Sequence, residues 1–321
     1  MGVILHLLEQ TVPPSKSSGG LNRLVEWLAT EQSKQGHKVY VASPDGASTE
    51  YFEHLRIPRD YTPHNIAPLI PNEVSDVEMH QIRPDVAQWL MDRYPRSIQL
   101  MHSGISPEQA DASYWAGSKA VFVSHNHMQQ AGGSQYAYNG VPIDQYEFRE
   151  DKCANLLFLA KVRRSKKGVQ TAIKVAKRCR RKLIVAGGRR NGSPETWFPW
   201  HPLIRPIGYV DGPRKTDILA SASALLVPIR WEEPFGLTVV EAMISGTPVI
   251  AFRRGAMPEL IVDGMTGFLC DTTDEMVEAV GKLDTLSPVD CRRHAVKKFS
   301  ATAMYKRHME LLELAGSGTT W

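Results

Sequence analysis

The chain has 321 residues, of which 42% are hydrophobic and 22% charged. These values exclude a disordered or fibrous polypeptide and leave room for two domains. The net charge of +4 hides an asymmetry: residues 1–150 carry 11 basic and 17 acidic side chains (net −6), and residues 151–321 carry 27 and 17 (net +10). An acidic half followed by a basic half points to two domains, with an anionic ligand beside the second. Cys153, Cys179, Cys270 and Cys291 form no CxxC pair, which favours a reduced, cytoplasmic chain over a disulfide framework or a zinc site. Met1–Leu8 has no basic region and too short an apolar run for a signal peptide, and no stretch reaches about 20 apolar residues. Position 6 is His, so Met1-Gly2 does not open a myristoylation motif.

Short apolar runs alternate with amphipathic segments, the pattern of parallel βαβ units. Val3–Leu8 is predicted as a buried strand, Pro13–Gly20 as a loop, Leu21–Gln35 as a helix stopped by Gly36, and Val39–Ala42 as the next strand. Residues 45–98 are rich in Pro, Asp and His and poorly periodic, with a helix at Pro84–Arg93 as their clearest element. Strands at Ile98–Met101 and Ala120–Ser124 complete the first domain. A second cycle follows Asn139-Gly140-Val141-Pro142: strand Leu156–Ala160, helix Lys167–Arg178, and strands Leu183–Ala186, Ala224–Pro228, Pro248–Phe252 and Gly267–Cys270. Phe299–Ala315 is a terminal helix. The expected division is 1–148, 149–298 and a helix over 299–321, each large domain a doubly wound α/β sheet.

Residues 228–269 carry the densest chemical signal. A strand ends at Pro228, a polar loop holds Glu233, and Pro234 and Gly236 open a helix whose Leu237, Val240 and Ile244 face inward until Gly246 stops it. Amides at such a helix start favour a phosphate. Glu241 follows on the second turn. Two carboxylates around an anion hole suit a phosphate flanked by hydroxyl groups, because each carboxylate accepts hydrogen bonds in pairs. Taken singly, Glu233 is an ordinary loop acid, and Thr238-x-x-Glu241 reads as a capping box. The combination Glu233-x7-Glu241 within Glu-Pro-Phe-Gly-Leu…Glu-Ala-Met…Gly-Thr-Pro-Val is far more specific.

That segment closely resembles the donor-site signature of retaining GT-B glycosyltransferases of family 4. The likeness extends to Pro13–Gly20 as a glycine loop, Gly36-His37-Lys38-Val39, Tyr138-Asn139-Gly140-Val141, Lys167-Gly168-Val169, and Gly255…Pro258-Glu259…Gly264…Thr266-Gly267-Phe268. It fails over 45–98. The resemblance implies two Rossmann-like domains facing a central cleft, the first binding the acceptor and the second the donor, with the C-terminal helix crossing back to the first domain.

It also implies roles. Glu233 would accept hydrogen bonds from donor-sugar hydroxyls, and Phe235, Gly236 and Leu237 would offer amides, with Thr238 beside them. Glu241 would hold the ribose, Lys167 would neutralise the diphosphate, and Tyr209 would lie in the loop that reads the base. Gly19 and Gly20 belong to the glycine loop. The family's "GRL" arginine falls on Lys161 in Ala160-Lys161-Val162, with Arg163 and Arg164 as alternatives, since Lys lacks the guanidinium fork. His102 falls where the family often has a histidine facing the reaction centre.

The resemblance makes the chain a transferase using a UDP-glucose, UDP-GlcNAc or GDP-mannose type of donor, with front-face attack, no prosthetic group and no metal. An epimerase on the same fold and a non-catalytic sugar-nucleotide or nucleic-acid binder are the competing readings. Residues 161–190 hold 13 Lys or Arg and no acid, but without interleaved aromatic residues they read as a solvated face, not a nucleic-acid surface. Peripheral contact with a membrane stays open, although the acidic first half argues against an acceptor embedded in anionic lipid. Gly187–Gly192 departs from a dinucleotide loop. His125 and His127 are spaced to share a strand face, without the partners a metal needs.

Overall fold

The computed structural model describes residues 1–14, 20–189, 193–319 and 321. The chain divides into two compact units, Met1–Val141 with Phe299–Trp321, and Pro142–Lys298. Each is built on a six-stranded parallel sheet. Gly19 and most of the expected glycine loop lie outside the described residues.

In unit 1 the strands are β1 (Val3–Leu7), β2 (Lys38–Ser43), β3 (Glu53–Arg56), β4 (Asp76–His80), β5 (Ser97–Met101) and β6 (Ala120–Phe122). Helices α1 (Gly20–Lys34), α2 (Pro63–Ile66), α3 (Pro84–Arg93), α4 (Ala112–Trp115) and α5 (His125–Gln130) connect them, and α12 (Ala301–Gly316) returns from the far end of the sequence. In unit 2 the strands are β7 (Leu156–Leu159), β8 (Leu183–Ala186), β9 (Ile204–Gly208), β10 (Ala224–Val227), β11 (Val249–Phe252) and β12 (Gly267–Cys270). Its helices are α6 (Val169–Arg178), α7 (Gly212–Ser221), α8 (Leu237–Ile244), α9 (Met257–Leu260), α10 (Thr273–Gly281) and α11 (Pro288–Phe299). Among the described residues no helix is long and apolar enough to cross a membrane.

The two sheets share one wiring. Unit 1 runs β3-β2-β1-β4-β5-β6 and unit 2 runs β12-β11-β10-β7-β8-β9. Read from its first strand, unit 2 repeats the order of unit 1. Sequence order reverses between β1 and β4 and again between β7 and β10, and ligands of open parallel sheets bind at the carboxyl ends of strands flanking such a switch. Helices cover both faces of a parallel sheet, which is why β7, β10 and β11 are nearly unbroken runs of Leu, Val, Ile and Ala.

Two strands in the aperiodic stretch 45–98 escaped that pattern. β3 (Glu-His-Leu-Arg) is a short edge strand with little burial. β4 (Asp-Val-Glu-Met-His) is fully buried despite three polar residues, because neighbouring side chains satisfy them. The expected boundary at 148 also moves. Pro142–Phe148 packs with unit 2, where the Tyr146 hydroxyl donates to Glu241 (2.8 Å) and Phe148 lies against Gly246. His125 and His127 are helical, on α5 instead of a strand, and the His127 ring sits edge-on to Phe122.

The return of α12 is tied to where the chain leaves unit 1. Val141 donates to the Phe299 carbonyl (2.9 Å) and Ala301 donates to the Val141 carbonyl (2.9 Å). Ser300 caps α12 through the amide of Ala303. Leu311, Leu312 and Ala315 then pack on Ile98, Leu100 and Val121, so part of the unit 1 core lies 190 or more residues beyond the strands it covers.

Candidate functional site

Two loops meet at the switch point of unit 2. The first follows β7: Lys161, Arg163 and Arg164 are exposed, a single 3-10 turn covers Ser165–Lys167, and Gly168 precedes α6. Gly168 has φ +79°, and a Cβ there would lie 1.8 Å from the Pro228 carbonyl oxygen. Only glycine lets the backbone turn this way while touching the end of β10. The second loop follows β10. Arg230 donates its amide to the Lys166 carbonyl (2.7 Å) and a guanidinium N–H to Thr171 (3.0 Å), so the two loops are laced together.

This lacing stacks the functional side chains. The Lys166 ammonium sits 3.3 Å above the centre of the Trp231 ring, a cation–π contact. Burial, followed by the charges of Arg164 and Lys167, lowers the Lys166 pKa. The Trp231 indole N–H donates to Glu233 Oε2 (2.8 Å), and Lys167 donates to the same oxygen in a close ion pair. Glu232 accepts from the Gly255 amide (2.6 Å) and Ala256 donates to the Glu233 carbonyl (3.0 Å), which fixes the loop from its other side.

Immediately afterwards Gly236, at φ +112°, turns the chain into α8, and no side chain caps the new helix. Phe235 is buried, whereas Leu237 and Thr238 are partly exposed. The arrangement is a positive helix end flanked by two lysines and an acid already held by hydrogen bonds. Chemically it can take an anion at the helix start and cations, and hydroxyl groups at Glu233.

Lys161, Lys167, Glu233, Phe235 and Gly236 therefore lie on the loops of this one switch point, with Leu237 and Thr238 opening α8 and Arg164 beside them. Tyr209 is exposed at the end of β9, two strands from β7. Glu241 does not line an opening here. It is fully buried, and its Oε1 accepts from Lys215 (2.6 Å) and from Tyr146. α8 is buried on nearly all sides, beyond the single inward face expected of it. His102 and Gly20 belong to unit 1, at the end of β5 and the first residue of α1.

Sequence reading passed over Lys166, Trp231, Lys215 and Tyr146. Trp231 carried a local signal, as an aromatic residue two places before Glu233. Lys215 and Tyr146 carried none, since they reach Glu241 across 26 and 95 residues.

Comparison with known proteins agrees with this geometry. Residues 153–285 match the family described as Glycosyl transferases group 1. The chain is 29% identical over 172 residues to the trehalose synthase of Pyrococcus horikoshii, covering 47% of this chain and 41% of that protein. It thus spans less than half the length of that curated relative. Among solved structures, AviGT4, a glycosyltransferase of avilamycin A biosynthesis, superposes with a TM-score of 0.76 at 24% identity over 99% of both chains. Anabaena HepE in complex with UDP-glucose gives 0.71 at 17% identity, over 97% of this chain and 99% of that one. The fold is GT-B. The likeness to the group 1 glycosyltransferases falls on residues 153–285, within unit 2.

Proposed function

We propose that this protein transfers a hexose-type sugar from a nucleotide-diphosphate sugar to an acceptor hydroxyl with retention of configuration. One observation carries the reading: Lys166, Lys167, Trp231 and Glu233 converge beside the uncapped start of α8, at the switch point of the sheet. The UDP-glucose held by the Anabaena neighbour supports a UDP-sugar as donor.

In this reading the diphosphate lies at the α8 amides and draws Lys167 toward itself. Glu233 is then released to accept sugar hydroxyls while Trp231 keeps it in place. The acceptor oxygen bonds to the anomeric carbon on the face from which the diphosphate departs. The C–O bond to phosphate breaks, and the leaving phosphate oxygen takes the acceptor's proton. Negative charge grows on that phosphate, where Lys167, Lys161 or its neighbours Arg163 and Arg164, and the helix end stabilise it. These cations supply the charge compensation without a bound metal. Four unpaired cysteines, two of them buried, support a reducing, cytoplasmic setting.

The test is donor turnover. Purified protein is incubated with UDP-glucose, UDP-GlcNAc or GDP-mannose and a panel of hydroxyl acceptors, with and without a chelator, and nucleotide diphosphate release and product anomeric configuration are followed. Transfer with retention that survives chelation, and that falls at least about 100-fold in Glu233→Gln, is the expected result. Donor conversion without any acceptor would point to an epimerase. Salt-sensitive oligonucleotide binding without donor turnover would overturn the assignment.

A further inference from the structure

A second set of polar side chains lies inside unit 1, at its own switch point and apart from the donor loops. His6 on β1 and Glu78 and His80 on β4 share one face of the sheet, since His6 is in register with Glu78. Gln32 on α1 and His308 on α12 cover that face, and all five side chains are buried. Their bonds form a line. Gln32 Nε2 donates to Glu78 Oε1 (2.6 Å), and Gln32 Oε1 faces His6 Nε2 (2.6 Å). His6 Nδ1 faces His80 Nε2 (3.0 Å), and His80 Nδ1 faces His102 Nε2 (3.2 Å). The rings stack at 5.3 and 5.5 Å. At the near end Glu78 Oε2 accepts a hydrogen bond from His308 Nδ1 (2.8 Å). At the far end His102 Nδ1 is covered and has no hydrogen-bond partner among the described residues.

The proton positions follow from chemistry. A carboxylate only accepts, so Gln32 must turn its NH2 to Glu78 and its carbonyl oxygen to His6. His6 must then carry its proton on Nε2, leaving Nδ1 as an acceptor. His80 answers with a proton on Nε2 and a bare Nδ1, and His102 does the same. Reversing the line would set the Gln32 oxygen against a Glu78 oxygen at 2.6 Å. Burial by itself would raise the Glu78 pKa, but His308, His6 and Gln32 outweigh it and hold the carboxyl below its ordinary range. Burial also keeps the rings neutral: it lowers His6, takes His80 well down, and with His308 and His127 nearby brings His102 to about 3.

His6, Glu78 and His80 are close enough to hold a cation. Their ligand atoms are already engaged, however: the facing His6 and His80 nitrogens share one proton, and both Glu78 oxygens accept hydrogen bonds. The donor set fits a proton-sharing line better than a metal cage.

We propose that Glu78, Gln32, His6 and His80 are positioning residues that lock His102 in the tautomer protonated at Nε2, so that its Nδ1 lone pair is kept as an acceptor for a substrate hydroxyl at the carboxyl end of the unit 1 sheet. A buried acceptor without a partner is an energetic deficit that an incoming O–H relieves. The use of the lone pair rests on the glycosyltransferase reading, whereas the lock itself does not.

The experiment is side-chain 15N NMR of the full-length protein at pH 7, with each histidine assigned by single substitution, followed by the same spectra and steady-state kinetics of Glu78→Gln. The lock predicts protonated Nε2 and bare Nδ1 at His6, His80 and His102 in the unmodified protein, which needs no variant to fold. A proton on His102 Nδ1 there overturns the proposal. Gln at 78 can donate as well as accept, so the direction is lost and His102 should show both tautomers. Because only the competent fraction reacts, kcat should fall between about two- and ten-fold with donor KM unchanged. A folded Glu78→Gln protein with an unaltered His102 tautomer or an unaltered kcat also overturns it. If the unmodified protein transfers no sugar yet shows the predicted tautomers, the functional reading fails and the lock stands.

Discussion

Gln32 shows how much one uncharged side chain can decide. Its amide has two different ends, and the carboxylate beside it admits only one of them, so a choice made at α1 is passed through two rings to the carboxyl end of the sheet. The same burial predicts a pH response. The pKa of His102 is lowered to about 3, against about 6.5 in an unfolded chain. A base depressed by folding binds its proton more weakly in the native state. Its contribution to stability is therefore complete above pH 6.5 and is lost as pH falls from there toward 3. Between pH 7 and 5 His102 alone should cost about 2 kcal/mol of unfolding free energy. Urea denaturation at the two pH values measures this, and His102→Gln should lessen the difference; an unchanged difference would exclude His102 as the titrating group. In unit 2, Glu241→Ala would remove the buried carboxylate that accepts from the Lys215 ammonium, a loss of about 3–5 kcal/mol. Glu241→Gln, which keeps an acceptor for Tyr146 and Lys215, should lose less. Thermal denaturation of the two variants separates them, and equal losses would deny the pair its structural weight.

At the scale of elements, the loop–helix junctions do most of the placing. Gly168 lets the turn after β7 press on the end of β10, and this contact holds Lys166 over Trp231 and Lys167 on Glu233. Gly168→Ala should cost about 2 kcal/mol or more, from a left-handed backbone plus a Cβ against the Pro228 carbonyl. Trp231 fluorescence should also change without any ligand, since the indole would lose its lysine neighbour. An unaltered emission spectrum would mean that the loops hold together by other means. The junctions were legible in the sequence because glycine, proline and charge fall at fixed offsets there. β4 was not, since Asp76, Glu78 and His80 lie in an aperiodic polar stretch, and only in the fold is Arg96 seen to partner the first, Gln32 and His308 the second, and His6 the third. Helix α3, over Pro84–Arg93, was readable to the residue because Pro84 opens it and its apolar positions recur at helical spacing.

Across the whole molecule, the two sheets with one strand order were foreshadowed by the alternation of apolar runs, and the Glu233 loop by its motif. What stayed hidden are the partners that distant segments bring in: Lys215 and Tyr146 for Glu241, and α12 for the core of unit 1. The last of these can be measured. Ending the chain after Lys298 removes Leu311, Leu312 and Ala315, which are 0–1% exposed, and each large buried aliphatic side chain contributes about 1.5–3 kcal/mol. Hydrogen exchange should then show β4, β5 and β6 losing protection while β7, β10 and β11 keep theirs. Protection retained in both sheets would mean that unit 1 closes without the returning helix.

That return has a consequence for the order of events during synthesis. Unit 1 is translated before unit 2, but part of its core and the His308 end of its histidine line are supplied by residues made after all of unit 2. At about 5–20 residues per second, the half-built sheet must wait on the order of ten seconds for its last helix. During that interval Ile98, Leu100 and Val121 are uncovered beside the ribosome, and unit 2 has time to fold first. Of the two units, the one whose synthesis starts first is thus the one completed second.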